Sequence, residues 1–161
     1  MKKSALLLSM CLSLGLLFSA VSPAASAEQA QNLSLSSDIA PMVNTGWVKK
    51  NGIEARVYTD RLDDYPVSDT YVGVTAEKKA AGGTVYYQIV LSKVKSDGTT
   101  YYVDSVYGSM SSKSPQAKFY IDDFLDKGSS GTYRVMLKIF KDKEYDDWVG
   151  DWITDSFKIY N

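Results

Sequence analysis

The sequence predicts an all-β fold, an antiparallel two-sheet sandwich of seven or eight strands, from three observations. Short runs of aromatic and β-branched residues alternate with polar ones. Clusters of Gly, Asp, Asn and Ser separate these runs at about ten-residue spacing. Beyond the N-terminal segment, no stretch of ten or so residues carries the apolar period of a helix. A small up-and-down β-barrel satisfies the same pattern and stands as the alternative.

Residues 1–27 read as a secretory signal peptide. Lys2 and Lys3 form its basic start, an apolar run extends from Ala5 to Val21, and Ala25-Ser26-Ala27 supplies small residues before Glu28. The run is too short to span a bilayer comfortably, and Ser22-Pro23 follows it. Leu8-Ser9-Met10-Cys11 approaches a lipoprotein cleavage motif, but Met10 occupies the position that requires a small residue. The expected product is therefore secreted and extracellular, with no membrane insertion after cleavage. Residues 28–44 are polar and Ser-rich and are expected to be a flexible lead-in to one domain over 45–161.

Within that domain, Asn51-Gly52 lies between Trp47-Val48 and Ile53–Tyr58 and signals a type I′ hairpin, because both central residues need positive φ. Ile53, Ala55 and Val57 fall on one face. Thr70–Ala76 repeats the pattern, and Ala80–Gly83 makes the next loop. The longest strand is expected over Thr84–Val94, turned back by Ser96-Asp97-Gly98 into Thr100–Tyr107. Ser109–Pro115 reads as a polar loop, Ala117, Phe119 and Ile121 as a strand, and Ile153, Phe157 and Ile159 as a terminal strand.

Phe124–Gly131 places apolar residues and a Gly-containing turn before Thr132-Tyr133-Arg134-Val135. This segment resembles the corner of immunoglobulin-like and fibronectin-type sandwiches. The resemblance implies that the Tyr133 hydroxyl ties back to upstream backbone, and the alternation from Tyr133 onward sets Val135, Leu137 and Ile139 on the buried face. The paired cysteines of true immunoglobulin domains are missing. In general character the chain also resembles small exported β-sandwich proteins of Gram-positive bacteria such as bacilli, which implies an extracellular, non-enzymatic role.

Composition removes most catalytic chemistry. The chain has no His, and its single cysteine, Cys11, lies in the signal segment. A Ser-His-Asp triad, a Cys-His dyad and an N/S-ligated zinc site all need residues that the mature chain lacks. The protein is expected not to be an enzyme and to need no cofactor. A glycosidase built on two carboxylates alone is the remaining route, and most of the fifteen aspartates sit in turns where they bond local backbone. Without Lys2 and Lys3, 16 basic residues face 19 acidic ones, a net charge of −3. That balance disfavours nucleic acid as a partner. A monomeric or weakly associating domain is expected.

The candidate site is Tyr145-Asp146-Asp147-Trp148-Val149-Gly150-Asp151-Trp152, expected in or beside a loop joining the last two strands. Aromatic faces stack on the C–H faces of sugar rings while neighbouring acids accept hydroxyl hydrogen bonds. Tyr145, Trp148 and Trp152 are the expected stacking residues, Asp147 and Asp151 the acceptors, and a glycan or cell-wall polymer the ligand. Packing of at least one of the two tryptophans into the core is the competing reading. A protein-interaction or inhibitor module is the alternative function, using Tyr58, Tyr71, Tyr86, Tyr101 and Tyr107, or stiff loops at Tyr65-Pro66-Val67 and Ser114-Pro115-Gln116. A calcium-stabilised structural domain is the second alternative, through Asp60–Asp64 or Asp142–Asp147. No EF-hand fits, because Asp147 replaces the required Gly.

Overall fold

The structure, a computed structural model, describes residues 43–61, 64–79, 82–125 and 130–161. The signal peptide and nearly all of the lead-in lie outside the described residues, as does the turn immediately upstream of Tyr133. The described residues belong to one compact unit, Asp38–Asn161. Both sheets and the core lie within it, so this unit carries what it needs to fold alone.

The chain forms β1 (Val48–Lys50), β2 (Ile53–Thr59), β3 (Tyr65–Pro66), β4 (Tyr71–Lys78), β5 (Val85–Val94), β6 (Thr100–Met110), β7 (Ala117–Tyr120), one turn of helix α1 (Ile121–Phe124), β8 (Gly131–Phe140), β9 (Trp148–Ile153) and β10 (Phe157–Tyr160). One sheet has the order β1-β2-β4-β7. The other has the order β3-β10-β8-β5-β6, with β9 also paired to β8. Two open sheets with distinct edges make a sandwich, and the barrel alternative falls. Every pairing is antiparallel except that of β3 with β10.

The hairpin at Asn51-Gly52 forms as expected, with φ of 45° and 85° and Lys50 opposite Ile53. The alternating residues of β2, β5 and β8 then set Ala55, Val57, Ile89, Leu91, Val135, Leu137 and Ile139 between the sheets, all without solvent contact. Each large side chain buried this way contributes about 1.5–3 kcal/mol. Val43 and Asn44 already belong to the domain: Val43 is buried, its carbonyl accepts from the Thr59 amide at 3.1 Å, and Asn44 bridges Tyr58. The domain thus starts ahead of residue 45.

Four expectations need correction. The strand after the Ser96–Gly98 turn runs on to Met110, through the start of the expected loop. Tyr65-Pro66 is not an exposed loop, because Tyr65 is fully buried and pairs with Ile159. Its hydroxyl donates to Asp60 Oδ1 at 2.6 Å, and burial and that carboxylate push the phenol far above its ordinary range. The chain from Trp148 to Ile153 is strand rather than loop. Finally, Ile153 faces solvent while Phe157 and Ile159 face the core. Thr154–Ser156 supplies three residues opposite the two that separate Tyr133 from Met136, so the alternation flips between β9 and β10. Thr154 holds this bulge, donating its amide to the Val135 carbonyl at 3.0 Å and accepting the Val135 amide on Oγ1 at 3.1 Å.

Tyr133 is fully buried, its ring packed against Phe124 at 5.6 Å and Phe157 at 6.2 Å between centroids. The upstream segment to which its hydroxyl was expected to tie includes residues 126–129, which lie outside the described residues.

A polar network covers the outer face of the smaller sheet. Glu77 accepts from Tyr58 at 2.7 Å and from Arg56 Nε at 2.8 Å, and pairs with Lys113 at 3.2 Å. Burial alone raises the Glu77 pKa, but bonds from Tyr58, Arg56 and Lys113 outweigh it and hold the carboxyl below its ordinary value of 4.5. A carboxylate with a depressed folded pKa adds stability that is complete above the unfolded pKa and lost as pH falls through the folded one. Glu77→Gln is therefore expected to cost about 1–2 kcal/mol at pH 7. Its deficit should shrink once pH drops below about 4, which urea titrations across pH 2–7 will read.

Candidate functional site

Four strands of the larger sheet build a continuous outer face, and their registers place its side chains in rows. Trp148, Phe140, Tyr86 and Ser109 form one row across β9, β8, β5 and β6. Asp151, Lys138, Gln88 and Tyr107 form the next, and Ile153, Met136, Val90 and Ser105 the third. Outward positions on a sheet are ordinarily wet, yet Val90 is only 5% exposed. Its neighbours cover it, so this face carries an apolar layer of its own.

Tyr145 completes that layer from the β8–β9 loop. It adopts φ 63°, a left-handed conformation uncommon for a non-glycine residue. Its ring meets Tyr107 at 5.1 Å, Phe140 at 5.3 Å and Tyr86 at 6.3 Å, each edge to face. Aromatic pairs in this geometry each gain about 0.5–1.5 kcal/mol, which offsets the backbone cost. Burial, with Tyr107 and Tyr86 nearby, raises the Tyr145 phenol pKa.

Asp142 shapes the loop. Its two carboxylate oxygens accept the Asp146 amide at 3.1 Å and the Asp147 amide at 2.5 Å, and these bonds lower its pKa. The acidic cluster expected as a calcium loop is thus organised around its own backbone. Among the described residues no group of three or more metal-ligating side chains converges. The Asp60–Asp64 cluster lies partly outside the described residues, and Asp60 bonds Tyr65 and the Gly73 amide. Replacing Asp142 with Ala is expected to free Tyr145, seen as loss of near-UV aromatic dichroism and faster amide exchange at Asp146 and Asp147 while the rest of the domain stays protected.

The predicted residues separate cleanly. Trp148 is 56% exposed, and its indole N–H donates to Asp151 Oδ1 at 2.9 Å, which fixes the ring. Asp147 is exposed and pairs with Lys141 at 3.6 Å. Trp152 is only 1% exposed and belongs to the core, its N–H donating to the Val48 carbonyl at 2.8 Å across to the other sheet. It is removed from the expected platform, because strand alternation that turns Asp151 outward turns Trp152 inward. Tyr107, also 56% exposed, joins the platform instead. Its hydroxyl accepts from Gln88 Nε2 at 2.7 Å, which pins the ring. Tyr86 and Tyr107 are among the tyrosines expected at a protein contact. They share one surface with Tyr145 and Trp148, a juxtaposition that only strand order creates.

Beside Trp148, a shallow cleft of about 530 Å³ runs between the edges of the two sheets, lined by Lys50, Asn51, Gly150, Asp151 and Ile153. Asn51 Nδ2 donates to the Val149 carbonyl at 2.7 Å and Lys50 Nζ to the Asp151 carbonyl, which closes the open edge of β9. A Cβ at Gly150 would sit 3.0 Å from the Lys50 stem.

Residues 40–160 match the family described as YqgA MG2 macroglobulin domain, which is three quarters of the chain. The chain belongs to this family. The match covers all ten strands and fits the immunoglobulin-like sandwich described above. No curated protein matches this MG2 domain.

Proposed function

We propose that this MG2 domain is a secreted, non-catalytic binding module of the exported bacterial kind, and that it takes glycan or cell-wall polymer on the outer face of its larger sheet. The carrying observation is that Trp148 and Tyr107 share one face of the sheet. Two aromatic rings stand more than half exposed on one face, each pinned by a polar neighbour, with Asp151 and Lys138 between them. Pinned aromatic rings bind with little loss of side-chain entropy. Sugar hydroxyls find acceptors in Asp151 and donors in Lys138, while the rings take the apolar sugar face.

Carboxylate chemistry favours binding over catalysis. A general-acid carboxyl needs a raised pKa. Among the described residues, the carboxyls displaced from their ordinary values, Glu77, Asp97 and Asp142, are all shifted downward. The inhibitor alternative loses its first loop, since Tyr65 is buried.

The test is co-sedimentation of the unit Asp38–Asn161 with purified cell walls and insoluble polysaccharides. Trp148→Ala is expected to lower retention about five- to hundredfold with unchanged unfolding, as befits an exposed aromatic contact of about 1–3 kcal/mol. No retention of the unaltered protein on any polymer would sink this reading and leave the same aromatic face to a protein partner.

A further inference from the structure

A sheet edge offers unpaired main-chain donors and acceptors, and proteins normally blunt it with short strands, lysines, prolines or covering chain. This domain treats its edges unequally. β1 is three residues long and carries Lys49 and Lys50, and β7 is four residues long with Lys118 exposed. β3 is two residues long and contains Pro66. The carbonyls of Val149 and Asp151 on β9 are capped by Asn51 and Lys50. β6 differs from all of these. It runs for 11 residues, contains no Lys, Arg or Pro, and exposes Tyr101, Tyr102 and Tyr107. Among the described residues only β5 pairs with it.

The direction of its free groups follows from the ladder. Since Val149 and Asp151 point their carbonyls away from β8, Gly150 and Trp152 bond β8. Alternation carried across β8 and β5 leaves the main-chain groups of Ser105, Tyr107 and Ser109 directed away from β5. The Ser105 amide, which donates to the Asp104 side chain at 2.7 Å, agrees with that direction. Among the described residues, nothing caps the outward N–H and C=O groups of Tyr107 and Ser109.

We infer that β6 is a self-association edge, where a second copy of this chain adds antiparallel across Ser105–Met110 to form a weak two-fold dimer. Charge fits this occupant. Asp104 is the one charged residue of β6. For a two-fold axis at Val106, Tyr107 or Gly108, it faces Gly108, Met110 or Ser112 of the copy and never its own counterpart. Like charges therefore do not meet directly, and the paired stretch Ser105–Met110 is uncharged. A two-fold axis through an antiparallel strand pair stands perpendicular to the sheet. Both aromatic faces then lie on the same side, with the two β9 strands seven strand spacings apart, roughly 34 Å before twist. One polymer chain can reach both, and this consequence, unlike the dimer, rests on the wall-polymer reading.

Analytical ultracentrifugation of the unit Asp38–Asn161 from about 1 µM to 1 mM tests the dimer without any ligand. A dimer with Kd of roughly 10 µM to 1 mM is expected, because an edge contact covers less than the standard interface of about 1,600 Å². The Tyr107 and Ser109 amides should gain exchange protection as concentration rises. Ser109→Pro removes an outward N–H without touching the β5 ladder, and Ser109→Glu adds a repelling charge if the proline variant fails to fold. Either should weaken the dimer at least tenfold, whereas Trp148→Ala should leave it intact. A monomer at every concentration, or a dimer indifferent to the folded Ser109 variants, overturns the inference. Polymer retention lost in Trp148→Ala but only weakened in Ser109→Pro separates the two readings.

Discussion

Trp152→Ala is expected to destabilise the domain by about 3–5 kcal/mol, measured as a fall in urea midpoint at unchanged slope. The indole is the largest fully buried side chain among the described residues and sits where β9 meets β1. Its N–H reaches the Val48 carbonyl on the opposing sheet, and Lys50 Nζ lies 5.7 Å from the ring. Alanine removes the packing, opens a cavity and strips a hydrogen bond that joins the two sheets. The neighbouring Trp148→Ala should change stability by about 0.5 kcal/mol or less, since more than half of that ring is already in solvent. The contrast within one pentapeptide is the sharpest check of the strand assignment. Comparable losses from both substitutions would mean that Trp148 is packed as well, and would remove the proposed platform.

The second large effect is expected at Asp60. Its Oδ1 accepts the Tyr65 hydroxyl at 2.6 Å and the Gly73 amide at 3.1 Å, while Oδ2 faces Gln116 Nε2 at 3.4 Å. Asp60→Ala strands a hydroxyl on a residue with no solvent contact, together with a strand amide, for a loss of about 2–4 kcal/mol. Gly73 belongs to the same device. A Cβ there would lie 2.3 Å from Asp60 Oδ2 and 2.4 Å from Gln116 Nε2, so Gly73→Ala must expel the carboxylate. The two substitutions are expected to be strongly non-additive: after Asp60→Ala, the alanine at 73 should cost much less than it does alone. Additive losses in equilibrium denaturation would show that Gly73 is required for some reason other than this carboxylate. Tyr65→Phe, which deletes only the hydroxyl, should fall near 1 kcal/mol.

Both effects reveal what pattern reading finds and misses. The hairpin at Asn51-Gly52 and the inward faces of β2, β5 and β8 were legible because turn chemistry and period two are local. The reversed facing of Ile153 was not, because the extra residue in Thr154–Ser156 is an extra residue only relative to β8. Trp148 and Trp152 look alike in sequence, four residues apart among the same acids. One bonds Asp151 on its own strand and the other Val48, 104 residues away. Tyr65-Pro66 reads as a stiff loop, yet the partner that makes it a buried strand is β10, at the far end of the chain.

By itself the sequence determined the material and its limits: a strand-rich, His-free domain whose only cysteine precedes it, carrying twelve tyrosines and three tryptophans. Tertiary structure decided which of those aromatic residues are surface. Tyr86, Tyr107 and the stretch Tyr145–Trp148 come from three separate segments, and only strand order β9-β8-β5-β6 brings them to one face. The same order leaves β6 at an edge. Alternation along a strand assigns each side chain to one of two faces, but the pairing partner decides which face is core and which edge is free, and that information is held between distant segments.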